Sequence, residues 1–225
     1  MAQSYEHLSR QLDLIPVELL TKPITIIGAG AIGSFACLQL AKMGCSNIMV
    51  WDHDEVSIEN MNSQFYRHKD IGRPKVEALA DLVFDFTGVK ISFVASRWTP
   101  GPTTTNIVLL CVDTMAARKD IFRQLQNSCF AVNYVIDSRM GAEDALLYTV
   151  NLESKADADM YEITLYSDAN AVQQRCTAKS TIYTANLLSG MVVKTVKNLL
   201  CNQSYPRVSM WAIGGNELTQ SEGRI

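Results

Sequence analysis

The sequence predicts an α/β protein, a mostly parallel sheet flanked by helices and extended by antiparallel strands in its C-terminal part. Three observations carry this reading. Short β-branched runs alternate with stretches of helical period from Ile24 to Asp137. A glycine-rich turn joins the first of these runs directly to the helix that follows it. After Gly141 the apolar period changes to two, the mark of half-exposed strands.

Taken in order, residues 1–20 read as an amphipathic helix, with Leu8, Leu12, Ile15 and Leu19 on one face. Pro23 precedes ITII, a run suited to a buried central strand. GAGAIG follows at once, and SFACLQLAKMG keeps helical period until Gly44 stops it. NIMVWDHD is the second strand, and ISFVAS, NIVLLCVD and CFAVNYVID are three more. TMAARKDIFRQLQNS is a helix between the last two. ALLYTVN and MYEITLYS alternate apolar with polar and predict antiparallel strands. Residues 167–180 are polar and aperiodic, so a mobile loop is expected, followed by a helix over TIYTANLLSGMVVKTVKNLL. VSMWAIGG is a last strand, and ELTQSEGRI a poorly ordered tail. With no repeat, linker or low-complexity segment, residues 1–225 are expected to form a single domain.

Composition narrows the function classes. Of 225 residues, 48% are hydrophobic and 19% charged, as in ordinary globular proteins. The net charge is −3 and there is no basic tract, so nucleic acid and anionic membrane surfaces are not the expected partners. No apolar run approaches the roughly 18 residues that span a bilayer. The N-terminal charges do not suit a signal peptide, and a cytoplasmic protein is expected. The six cysteines are scattered without a CxxC pair, which argues against zinc and for buried thiols. His53 and His68 read as surface residues.

The glycine turn is the first functional signal. In GAGAIG, Gly28 makes the tight turn, Gly30 lets a phosphate approach the backbone, and Gly33 lets helix and strand pack closely. The turn makes the fold Rossmann-like and the amides at the helix start a place for an anion. Asp52 ends the second strand about 20 residues on, where an acid accepts hydrogen bonds from ribose hydroxyls. A nicotinamide dehydrogenase and an ATP enzyme fit these residues equally well.

The residues after Asp52 separate the two. Asp52 and Asp54 form an acid pair, followed by Asn60, Gln64, Gly72 and Lys75, then by Asp113 after an apolar strand, with Arg118 in the next helix. Ser9, Arg10 and Gln11 stand near the N-terminus. In these positions residues 5–155 resemble the ThiF/MoeB/ubiquitin-activating superfamily of adenylyltransferases. The resemblance implies ATP and Mg²⁺ as cofactors and adenylation of a carboxylate with release of pyrophosphate. Such a reaction needs cations aimed at the phosphates, a role that fits Lys75. Asp113 would hold the Mg²⁺, a hard ion favouring oxygen. Asn60 and Gln64, four apart, would offer amides to phosphate oxygens from one helix face. Arg10 would act across a homodimer interface. The plainer alternatives are a solvated Lys75, an Asp113 that only caps the next helix, and an Arg10 that is a solvated face charge.

The chain departs from the superfamily at Ser63, where an arginine is usual; Arg67, four residues on, is the expected replacement if the segment is helical. Cys176, flanked by Arg175 and Lys179, resembles the thioester cysteine of ubiquitin-activating enzymes. The leading expectation is an enzyme that activates the C-terminal carboxylate of a ubiquitin-like or sulfur-carrier β-grasp protein, with thioester formation on Cys176 as a further step. The alternatives are a non-catalytic subunit of an activating heterodimer and a nicotinamide oxidoreductase.

Overall fold

The structure is a computed structural model that describes residues 6–101, 105–127, 132–166, 180–215 and 217–219. Five strands run parallel: Ile24–Ile27 (β1), Ile48–Trp51 (β2), Ser92–Val94 (β3), Ile107–Leu110 (β4) and Tyr134–Met140 (β5). Asp144–Asn151 (β6), Val208–Ala212 (β7) and Glu217–Thr219 (β8) extend the sheet in antiparallel fashion. The order is β3-β2-β1-β4-β5-β6-β7-β8, the mixed α/β sheet that the sequence predicts.

The helices are Ala31–Met43 (α1), Lys75–Thr87 (α2), Met115–Asn127 (α3), Lys155–Ile163 (α4) and Ile182–Leu200 (α5). All four residues of β1 and all four of β4 are buried, which requires cover on both faces. One face packs Ile26, Leu109 and Ile136 against Leu40 of α1, Leu79 of α2 and Leu188 of α5. The other packs Ile27, Val108 and Leu110 against Phe122 of α3 and Tyr161 of α4.

Four details differ from the sequence reading. The N-terminal segment is not an α-helix; its described part forms 3₁₀ turns at Glu6–Leu8 and Val17–Thr21. Leu8, Ile15 and Leu20 are buried, but Pro16 is extended and interrupts any continuous helix. The described part of MYEITLYS begins inside α4 and is not a strand. Ser154 caps that helix by accepting the Asp157 N–H, and Ala158, Tyr161 and Leu165 are buried at helical spacing. Glu217–Thr219 of the expected tail pairs with β7, through Trp211↔Leu218. Lastly, β5 begins at Tyr134, and Cys129 lies outside the described residues.

Candidate active site

Strand order reverses between β1 and β4, so the loops leaving their carboxyl ends diverge there and open a crevice. Ile27 and Leu110 are in register, which sets the glycine turn beside the loop that carries Asp113. Gly28 has φ 99°, and a Cβ on it would lie 2.6 Å from the Cys111 carbonyl oxygen. A Cβ on Gly33 would lie 1.9 Å from the Gly28 carbonyl oxygen. The packing of the chain itself therefore demands glycine at both positions. Gly30 is different, since a Cβ there meets nothing within 4 Å. The space above it is open, and the first turn of α1 has neither a side-chain cap nor an acid. Its N–H groups lack intrahelical acceptors and suit an anion such as a phosphate.

Asp52 faces this turn and is 8% exposed. One of its oxygens accepts the Ala29 N–H at 2.6 Å, and the other accepts the Asp54 N–H at 2.8 Å. A carboxylate has lone pairs beyond these two bonds, which leaves capacity for a ribose hydroxyl. Asp54 then receives Lys75 Nζ at 2.9 Å, and the Lys75 N–H donates to the Asp54 carbonyl. Partial burial pushes the Asp54 carboxyl up, but the Lys75 hydrogen bond and charge, helped by His53 and Arg97, bring it below its ordinary value. Lys75 is 6% exposed, so it is not the solvated lysine of the plainer alternative. Three bonds thus connect the glycine turn to a buried ammonium.

The segment between β2 and α2 is built from turns. Asn60 sits in the 3₁₀ turn Ile58–Asn62, and its Oδ1 accepts the Ser57 N–H at 2.9 Å. Gln64 lies beyond that turn, so the expected shared helix face does not form. The amide nitrogen of Asn60 remains able to donate. Gln64 Oε1 is buried without a partner among the described residues. Ser63 is 3% exposed and accepts the Ser180 hydroxyl at 2.9 Å. Arg67 does not take the place of an arginine at position 63, because its guanidinium donates to Asp70 and Asp85. The condition for that replacement, a continuous helix from 63 to 67, is not met.

Asp113 is exposed three residues beyond β4. Thr114, whose Oγ1 accepts the Ala117 N–H, caps α3, so Asp113 is free of that task. Among the described residues the one group of three metal-competent side chains is Asp52, His53 and Asp54, without Asp113. Asp54 is engaged by Lys75, and Asp52 accepts the Ala29 and Asp54 N–H groups with lone pairs left over for a ribose hydroxyl. A Mg²⁺ on Asp113 would draw its other oxygens from phosphates and water, the usual habit of that ion.

Arg118 donates to the Val112 carbonyl and to Asp137, holding the Asp113 loop in place. Asp137 is fully buried and also accepts Arg139 Nε at 2.6 Å and the Tyr161 hydroxyl at 2.9 Å. Sequence reasoning missed this network, since Asp137, Arg139 and Tyr161 carry no motif. It also missed Tyr66, which donates to the Ala29 carbonyl at 2.6 Å, and Ser180.

The structure does not bring Arg10 to this crevice. Leu8 and Gln11, its neighbours, pack against Gly44 and Met43 at the far end of α1. Thirteen helical residues at 1.5 Å each put that end roughly 20 Å from the glycine turn. Cys176 lies outside the described residues. Cys37 and Cys45 are buried, as expected; burial pushes the Cys45 thiol up to about 12 and Cys111 to about 11.

A sheet with this order and a glycine turn at its reversal defines a doubly wound α/β protein. The model of the ThiF family matches residues 9–222, and the chain belongs to that family. It is 36% identical over 104 residues to the NEDD8-activating enzyme E1 catalytic subunit of Arabidopsis thaliana, a match covering 44% of this chain and 23% of the relative. It is 32% identical over 110 residues to tRNA threonylcarbamoyladenosine dehydratase 1 of Saccharomyces cerevisiae, covering 44% of this chain and 25% of the relative. The chain thus spans about a quarter of the length of these curated relatives. A crystal structure of E. coli MccB with ATP superposes with a TM-score of 0.71 over 100% of this chain and 73% of that one. At 17% identity that likeness concerns the fold. No helix among the described residues is long and apolar enough to cross a membrane.

Proposed function

We propose that the chain is a single ATP-dependent adenylation domain that activates a carboxylate. The observation that carries this is the linkage Ala29–Asp52–Asp54–Lys75, which ties an open, uncapped glycine turn to a buried ammonium. A dinucleotide dehydrogenase has use for the turn and Asp52 but none for Lys75. The resemblance through Asn60, Gln64, Lys75 and Asp113 and the ATP carried by MccB support the same nucleotide.

In this reading the free N–H groups of Ala31, Ile32 and Gly33 and the open side of Gly30 take the phosphates, and Asp52 takes the ribose. Asn60 and Gln64 orient phosphate oxygens. Asp113 holds Mg²⁺, which neutralises phosphate charge. The substrate carboxylate attacks the α-phosphorus, the bond to the bridging oxygen breaks, and pyrophosphate leaves with its new charge facing Lys75. Asp54 keeps that lysine aimed until the triphosphate competes for it.

The substrate is the C-terminal carboxylate of a ubiquitin-like or sulfur-carrier β-grasp protein, a reading supported by the NEDD8-activating relative. The working unit in this reading is a homodimer in which Arg10, lying far from its own glycine turn, serves the crevice of the second copy. Cys176 is the proposed acceptor for a later thioester. The test is incubation of the full chain with ATP·Mg²⁺ and a native lysate, followed by mass analysis. An adenylated β-grasp polypeptide is expected. Nicotinamide binding without ATP binding overturns the reading, and an adenylated RNA or small molecule overturns the substrate.

A further inference from the structure

The peptide that joins Ala29 to Gly30 lies in the middle of the glycine turn, and Ala29 is tied at both ends. Its N–H donates to Asp52 Oδ2 and its carbonyl accepts the Tyr66 hydroxyl, each at 2.6 Å. In a trans peptide the carbonyl and the next N–H point in opposite directions. Fixing the Ala29 carbonyl on Tyr66 therefore turns the Gly30 N–H away from Tyr66. With glycine on one side of it, this peptide would otherwise rotate cheaply.

We propose that Tyr66 is a positioning residue of the nucleotide site, its hydroxyl holding the Ala29–Gly30 peptide so that the Gly30 N–H is presented to the phosphates of a nucleoside triphosphate. The inference rests on the nucleotide reading above. Tyr66 comes to the turn on a braced segment. The Phe65 N–H donates to Ser34 Oγ at 3.0 Å, and Arg67 is fastened to Asp70 at 2.8 Å. Burial, with Asp52 close by, pushes the Tyr66 phenol well above its ordinary value, so it stays a donor at any working pH. Its ring lines a cavity of about 280 Å³ with Phe65, Leu82 and Phe86. Removing the hydroxyl alone leaves that ring seated.

The test is titration of ATP and of adenosine into the full-length wild type, Tyr66→Phe and Ser34→Ala, with thermal melts of each. Tyr66→Phe should raise the ATP Kd about five- to tenfold, the worth of one hydrogen bond, and leave the adenosine Kd unchanged. Ser34→Ala cuts the neighbouring tie but spares the Ala29 carbonyl, and should bind ATP as the wild type does. Unchanged ATP binding in Tyr66→Phe overturns the proposal. So does equal weakening for adenosine and ATP, or an equal loss in Ser34→Ala, since either assigns the effect to loosened packing. A wild type that binds no nucleotide overturns the nucleotide reading itself.

Discussion

The Asp52 carboxylate accepts the main-chain N–H of Ala29, a residue 23 positions earlier, at 2.6 Å. The acid at the end of β2 is therefore part of the glycine turn before any nucleotide arrives. Asp52→Ala would orphan the buried N–H of Ala29 and the partly buried N–H of Asp54. The buried orphan alone costs about 1–3 kcal/mol, whereas a surface acid changes stability by less than about 0.5 kcal/mol. Urea denaturation at neutral pH should show the larger loss.

Ser63 stands where the superfamily resemblance expects an arginine. It is buried and bonded to Ser180 just ahead of α5, which leaves no room for a guanidinium. Ser63→Arg should destabilise the chain by about 1–3 kcal/mol, the usual cost of overpacking, and should not improve ATP binding. Thermal melts with nucleotide titration will show this. A stable Ser63→Arg with tighter ATP binding would mean that the pocket can open.

Asp137 balances the buried Arg118 and the partly buried Arg139. Removing one partner of a buried ion pair costs about 3–5 kcal/mol, because the remaining charge keeps its desolvation penalty. Asp137→Ala should lose stability of that order in chemical denaturation. The loop held by Arg118 carries Asp113, so the same variant should also lower adenylation.

Burial is the largest influence on Asp70 and pushes its carboxyl up, but the Arg67 side-chain and backbone hydrogen bonds, the Arg67 charge and the Arg73 hydrogen bond together hold it below the ordinary value. A carboxyl depressed on folding stabilises the native state above its unfolded value of about 3.9. That stabilisation is lost as pH falls through the folded value. Asp70→Asn should therefore be less stable than wild type at pH about 7, with the gap closing below pH about 4. Denaturation at the two pH values checks it; a gap that widens in acid contradicts the assigned sign.

Much of this was legible in sequence. The β-branched runs at Ile24 and Ile107 and the glycine turn reflect local rules and became the predicted elements, as did ALLYTVN after the change of period at Gly141. Glycine is needed at Gly28 and Gly33 for the packing reasons that the motif encodes. What was not legible depends on long-range contact. MYEITLYS looks strand-like in isolation, and only the buried Ala158, Tyr161 and Leu165 show the helix. Glu217–Thr219 has no strand signal without β7 beside it. Lys75 could be named from the superfamily resemblance, but its burial against Asp54 could not. Tyr66 had no signal, since a hydroxyl reaching a carbonyl 37 residues away leaves no periodic trace.

The most direct test of a nucleotide on the glycine turn uses Gly30. Its missing Cβ leaves open space, so Gly30→Ala should fold and melt as wild type does. The added methyl would stand where phosphate approaches the backbone. Calorimetric titration of ATP·Mg²⁺ should show binding to wild type and a loss of at least about tenfold in Gly30→Ala, a difference of about 1.4 kcal/mol. A Gly30→Ala variant that binds ATP with wild-type affinity would contradict the account.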